Sequence, residues 1–287
     1  MRRLKNDYHP DLVGASLSVL AEVMTTLGSY RDSLVLIGGW VPYFILQEYQ
    51  APGLDFGHVG SIDIDLLIDA DVAYSEQYAT IVAMLMDRGY SLDPQVYFRL
   101  HRTITGASDG QEYSTAVDFL TPRPPPGEGR AHRHRTVQSD LRARTLEGGD
   151  IALAHNFWLR LDGTLPGDGR TSVRLKIADL VACLSLKGIA LGDRYAEKDA
   201  YDVYALCAYH RGGPSAVAAR LRPHVHYPIV QRGLDGIAGK SRNLEADGPS
   251  WVTSFLVGVD DSSDIALRTR TDAFMVVNEV LRLLEWL

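Results

Sequence analysis

Apolar residues recur at helical spacing from Leu12 to Leu27 (LVGASLSVLAEVMTTL), which predicts a helix. SLVLIGGW then reads as a short buried strand, Leu34 to Ile37, closed by Gly38–Gly39. A helix is expected from Trp40 to Gln47, with Pro42 in its first turn, where proline is tolerated. A loop holding Pro52, Gly53 and Gly57 leads into HVGSIDIDLLID, whose strict alternation predicts a strand. A helix over about Ser75 to Arg88 is followed by two strands, QVYFRLHRTIT and YSTAVDFL, joined by the turn ASDGQ. From Thr121 the sequence TPRPPPGEGRAHRHR reads as a loop or lid, since four prolines remove backbone donors. Ala152 to Leu161 and Ser172 to Ile177 look extended. From Ala178 the pattern turns helical: ADLVACLSLKGIAL, EKDAYDVYALCAYH, Pro214 to Arg222, and DAFMVVNEVLRLLEWL. No internal repeat is present. The expected fold is α+β: a mixed sheet with flanking helices over residues 1–177, then a helical domain over 178–287.

One stretch is unusual for a buried strand. In HVGSIDIDLLID, Ile62, Ile64 and Leu66 can face a core, and Ser61, Asp63 and Asp65 then share the opposite face. Two carboxylates about 7 Å apart along a strand repel unless a cation joins them. Magnesium does so, taking a few carboxylates together with substrate phosphates. Asp118, within the apolar run TAVDFL, is the candidate third carboxylate, because a buried aspartate needs a partner. Three carboxylates around two metal ions support in-line displacement at phosphorus. Gly38 and Gly39, between a strand and a helix, allow close backbone approach to a phosphate. The bland alternative is a strand end with both aspartates hydrated.

Composition narrows the classes. The 287 residues are 46% hydrophobic and carry a net charge of -7, so a polyanion would have to meet a local basic patch. Arg123 to Arg144 is such a stretch, with six arginines, His132 and His134. It can touch an RNA backbone or be a solvated surface loop. Arg99 and His101 alternate on the strand before Asp118 and either face the site or are exposed. Cys183 and Cys207 lie in apolar helical surroundings and read as buried thiols. No signal-peptide core and no apolar run of membrane-spanning length is seen, so a cytoplasmic location is expected.

Together Gly38–Gly39, Asp63-Ile64-Asp65 and Asp118 resemble the pattern of the nucleotidyltransferase superfamily, the polymerase-β-like fold. LSLKGIALGDRYAEKDAYDVYAL is similar to the helical motif of the AbiEii/AbiGii toxins of type IV toxin–antitoxin systems, with Lys187, Arg194, Lys198, Asp199 and Asp202 at the matching positions. Val59-Gly60 stands where that family often has arginine before the serine, and Trp40-Val41-Pro42 follows the glycines as in small-molecule nucleotidyltransferases. The resemblance implies transfer of a nucleoside monophosphate from an NTP to a hydroxyl, on tRNA or other RNA, by a toxin restrained by an antitoxin. It implies Asp63, Asp65 and Asp118 as magnesium ligands, Asp118 also as base, and Gly38, Gly39, Ser61 and Lys187 around the triphosphate. Asp199 and Asp202 would position Lys187, bind a base, or join helices. Alternatives are an aminoglycoside- or lincosamide-type antibiotic nucleotidyltransferase, and a binding protein that keeps the fold without catalysis.

Overall fold

The computed structural model describes residues 4–54, 56–70, 79–106, 108–124, 133–258 and 263–287. The chain divides into two compact units. A sheet unit holds His9–Trp40 and Ser61–Ala178. A helical unit holds the segment ending at Tyr8, Val41–Gly60 and Asp179–Leu287.

The sheet unit opens with α1 (Pro10–Thr26), whose Pro10 sits at the helix start, where its missing N–H costs nothing. β1 (Leu34–Ile37) follows, and after Gly38–Gly39 comes α2 (Trp40–Tyr49), whose first residue alone belongs to this unit. β2 (Ile64–Ile68), α3 (Ile81–Met86), β3 (Ser91–Leu92), β4 (Arg99–Thr105) and β5 (Glu112–Pro122) continue the chain. Then come β6 (His134–Gln138), β7 (Leu141–Leu146), α4 (Gly149–Ala154), β8 (Asn156–Thr164) and β9 (Arg170–Ala178). The sheet runs β3-β4-β5-β2-β1-β9-β8, with the β6–β7 hairpin attached to the end of β5. β1 pairs antiparallel with β2 and parallel with β9, and β2 pairs parallel with β5, so the sheet is mixed as expected. α1 packs on the face that presents Leu36, Leu66, Leu100, Val117 and Ile177, all buried.

Three local expectations need correction. Asp63 is not in the strand; β2 begins one residue later, at Ile64. Gly60 at φ 77° turns the chain, and the Ser61 hydroxyl donates to the Asp63 carbonyl (3.1 Å), closing a bend. The loop assigned from Thr121 is largely sheet: β5 runs through Pro122 and eight residues of the Arg-rich stretch pair into a hairpin, while 125–132, including His132, lie outside the described residues. Ala152 to Leu161 is not all extended. Gly148 at φ 72° starts a helical turn that buries Ile151 and Ala152 before β8 begins. The helix expected over Ser75 to Arg88 is described only as Ile81–Met86, and 71–78 lie outside the described residues.

The helical unit contains α5 (Leu180–Asp193), α6 (Glu197–Tyr209), α7 (Gly213–Leu221), α8 (Pro228–Lys240), α9 (Asp247–Leu256) and α10 (Asp264–Leu283). Helices α8 and α9 are additions to the sequence reading. Val41–Gly60, which the pattern alone assigns to the front domain, docks on α6. The Arg211 N–H donates to the Tyr49 carbonyl (2.6 Å), and Phe56 stacks on Tyr209 with centroids 3.7 Å apart. No helix among the described residues is long and apolar enough to cross a membrane.

α5 and α8 meet through glycine. A Cβ on Gly188 would lie 2.1 Å from the Gly233 carbonyl oxygen, and one on Gly236 would lie 2.1 Å from that of Gly188. These contacts are backbone to backbone, so neither helix can yield by a side-chain rotation. Gly188→Ala is expected to destabilise the protein by at least about 2 kcal/mol, checked by urea unfolding. Gly14→Ala in α1, with nothing within 4 Å of its added Cβ, is expected to be neutral or slightly stabilising.

Candidate active site

The site is built on one row of the sheet. Ile37 is the register partner of Asp65, Asp65 of Asp118, and Asp118 of Arg99. Register partners on neighbouring strands point to one face, so Asp65, Asp118 and Arg99 emerge side by side. The sequence-predicted pair Asp65 and Asp118 is thus brought together, on parallel strands near the middle of the sheet. Asp63 lies two residues before Asp65, in the bend that opens β2.

The two glycines fit against these side chains. Gly38 has φ 77°, and a Cβ there would lie 2.1 Å from Asp65 Oδ2. A Cβ on Gly39 would lie 2.4 Å from Ser61 Oγ. The turn after β1 therefore packs its bare backbone on the carboxylate and the hydroxyl, and only glycine leaves that room. Ser61 is buried beneath it.

Arg99 answers the charge of the row. Its Nε donates to Asp118 Oδ1 (2.6 Å) and a terminal nitrogen donates to Oδ2 (2.8 Å), a two-pronged fork. Those hydrogen bonds raise the Arg99 pKa above its ordinary value. Burial opposes the rise, and the charges of Asp118, Asp63 and Asp93 add to it. His101, two residues on, pairs with Asp93 at 2.8 Å. Magnesium takes hard oxygen ligands and is commonly held by one or two carboxylates plus substrate phosphates. Asp63 and Asp65 suit that donor set, whereas Arg99 engages both oxygens of Asp118. No group of three or more His, Cys, Asp or Glu side chains forms a metal cluster among the described residues.

The β6–β7 hairpin stands beside this row. Arg144 is the register partner of Leu120, which shares a face with Asp118, and Arg142 lies two residues earlier on the same face. Both arginines are exposed. Arg142 lies 6.0 Å from the Tyr97 ring centroid, and Arg144 lies 5.9 Å from that of Phe98. The Arg-rich stretch thus presents two cations on the carboxylate face. The Arg99 fork was also within reach of the sequence. In the β4–β5 hairpin every pair of partners sums to 217, so locating its turn near Ser108–Asp109 pairs Arg99 with Asp118.

Lys187, Asp199 and Asp202 belong to the helical unit, and they engage one another. Lys187 Nζ lies 2.7 Å from Asp199 and 2.6 Å from Asp202, and all three are buried. Arg194 adds a 2.8 Å contact to Asp199, and Lys198 a 2.5 Å contact to Asp202. Burial opposes the Lys187 charge, but the two carboxylates outweigh it and hold its pKa above the usual value. Asp202 is likewise held below the carboxylate range, burial being outweighed by Lys187 and Lys198.

His58 completes this network and was not singled out from sequence. Its Nδ1 accepts from the Gly60 N–H (3.1 Å), which assigns the proton to Nε2 and makes Nε2 the donor to Asp202 Oδ1 (2.9 Å). Burial, reinforced by Lys198, lowers its pKa to about 4, so the ring is neutral at pH 7.

With this geometry in place, comparison with known proteins gives the family. A family model described as nucleotidyltransferase matches residues 16–179, more than half of the chain. The chain belongs to that nucleotidyltransferase family. Among solved structures it is similar to JHP933 from Helicobacter pylori, at 12% identity over 96% of this chain and 94% of that one, with a TM-score of 0.43. It is also similar to an antigenic nucleotidyltransferase-like protein from Paracoccidioides brasiliensis, at 11% identity over 82% and 91%, with a TM-score of 0.43. No curated protein matches.

The His58 shift has a measurable consequence. Between the folded pKa of about 4 and the ordinary histidine value of 6.5, the unfolded chain binds the proton that the folded chain refuses. Stability is therefore expected to fall as pH drops from about 6.5 towards 4, by up to roughly 3 kcal/mol from this group. Denaturant unfolding across that range checks it, and His58→Gln is expected to flatten the slope.

Proposed function

We propose that the protein transfers a nucleoside monophosphate from an NTP to a hydroxyl of an RNA acceptor. The observation that carries the transfer reading is the pairing of Asp65 with Asp118 at one register, with Gly38 packed on the Asp65 carboxylate. Asp63 and Asp65 would hold magnesium, which supplies charge neutralisation for the triphosphate and Lewis-acid polarisation of phosphorus. Gly38, Gly39 and Ser61 line the turn that receives the phosphates, close to the start of α2. Arg99 fixes the orientation of Asp118, whose carboxylate takes the proton of the attacking hydroxyl. The acceptor oxygen bonds to the α-phosphorus as the bond to the pyrophosphate oxygen breaks, and pyrophosphate leaves.

The acceptor reading rests on the β6–β7 hairpin. Exposed Arg142 and Arg144 on the face of Asp118 favour a polyanionic acceptor over a cationic antibiotic. For Lys187, Asp199 and Asp202 the reading we favour is a buried ion-pair anchor of α5 on α6, since each charge already has its partner. The toxin setting, with a separate antitoxin, rests on the likeness of the Lys187 to Asp202 block alone, and growth arrest on expression would read it out.

Incubation with each α-labelled NTP, Mg²⁺ and total tRNA tests the reading. Label is expected on tRNA with the native chain and none with Asp63→Ala/Asp65→Ala. Arg142→Glu/Arg144→Glu is expected to cut labelling at least tenfold while Mg–NTP binding is kept. Label on a small-molecule acceptor with none on RNA would replace the RNA reading by antibiotic-type transfer. Absence of Mg–NTP binding would replace both by a binding protein.

A further inference from the structure

The far end of the sheet, away from the β6–β7 hairpin, is the β8–β9 hairpin. Its side chains alternate strictly between faces. Leu159, Leu161, Leu175 and Ile177 are buried on one face, and Trp158, Arg160, Asp162, Arg170 and Arg174 are exposed on the other. Trp158 pairs with Lys176, Arg160 with Arg174, and Thr164 with Arg170, so these residues share that open face. It is also the carboxylate face: Lys176 is the partner of Val35, two residues before Ile37, the partner of Asp65.

Trp158 is 38% exposed and sits among cations. Arg174 lies 5.0 Å and Lys176 5.3 Å from its ring centroid. Four cations, Arg160, Arg170, Arg174 and Lys176, stand against one anion, Asp162, a local 4 − 1 = +3 on a chain of net charge -7. Asp162 and Ser172 hold Arg160, and the Asp32 carbonyl accepts from Lys176, which fixes the lattice of charge around the indole. Cations spaced along a strand with an exposed aromatic between them match a phosphodiester backbone with one base stacked on the ring.

We propose that this face binds the backbone of the RNA acceptor, with Arg170 and Arg174 on phosphates and Trp158 stacked on a base. The proposal rests on the RNA reading above and deepens it. β8 is four strands from β5, which carries Asp118, about 19 Å across at the usual strand spacing. A small acceptor held at Asp118 does not span that distance, and a polymer does.

The test measures binding of fluorescein-labelled total tRNA by anisotropy, alongside labelling of the same tRNA from α-labelled NTP. Arg170→Glu/Arg174→Glu is expected to weaken tRNA binding at least tenfold and to lower the log–log salt slope by about 1 to 2. Arg170→Lys/Arg174→Lys is expected to restore most of the affinity, which separates charge from folding. Trp158→Ala is expected to cost roughly 5- to 100-fold, the range of a lost base stack. Unchanged tRNA affinity in the glutamate variant, with the native chain still binding and labelling tRNA, overturns this surface and leaves the RNA reading standing. A native chain that neither binds nor labels tRNA overturns both. Loss of binding to phosphatidylserine vesicles with tRNA binding intact overturns the proposal in favour of a membrane surface.

Discussion

Two carboxylates on neighbouring inner strands govern the sheet unit. At the usual strand spacing of about 4.8 Å and an effective dielectric of about 20, Asp65 and Asp118 repel by roughly 3 kcal/mol. Arg99 approaches Asp118 from β4 with both prongs of its guanidinium. Asp65 has the Gly38 backbone against it, and Asp63 lies in the bend two residues before it. The row thus reaches the turn that precedes α2, where the Gly38 backbone meets the Asp65 carboxylate. Carboxylates beside a bare glycine turn suit a cation bound together with an anionic substrate.

The helical unit holds a set of charges of its own. Lys187, Lys198 and Arg194 pair with Asp199 and Asp202 across α5, α6 and the turn between them, and His58 is kept neutral beside them. Removing one member of such a buried set leaves its partner uncompensated, typically at a cost of about 3 to 5 kcal/mol. The network therefore sets which arrangement of α5, α6 and the segment ending at Gly60 is allowed. Glycine contacts between α5 and α8 add a steric constraint to this electrostatic one.

Much of the site was legible because strands impose a two-residue period. Alternation placed Ile64 and Leu66 inward, and a hydrophobic run with one aspartate marked Asp118. What alternation does not carry is where a strand starts. The Ser61 hydroxyl bond to the Asp63 carbonyl removed Asp63 from β2, a local competition that no apolar pattern records. Proline content suggests a loop from Thr121, yet Pro122 closes β5 and Arg135, Arg142 and Arg144 pair into β6 and β7, where the aromatic neighbours of Arg142 and Arg144 come from a distant stretch. Lys187, Asp199 and Asp202 were recognisable as a motif, but their mutual burial depends on the packing of α5 on α6. His58 had no signal at all, because its partner lies 144 residues away.

The proposed reaction stands on Asp65 holding magnesium for an incoming nucleotide. The most direct measurement is the shift of thermal midpoint on adding Mg–NTP to the native chain and to Asp65→Asn. A native chain saturated to 100 times Kd gains about 2.7 kcal/mol, and a clear rise in Tm that needs Mg²⁺ is expected. Asp65→Asn is predicted to show no such rise. An Asp65→Asn variant that keeps the full Mg²⁺-dependent rise would contradict the account.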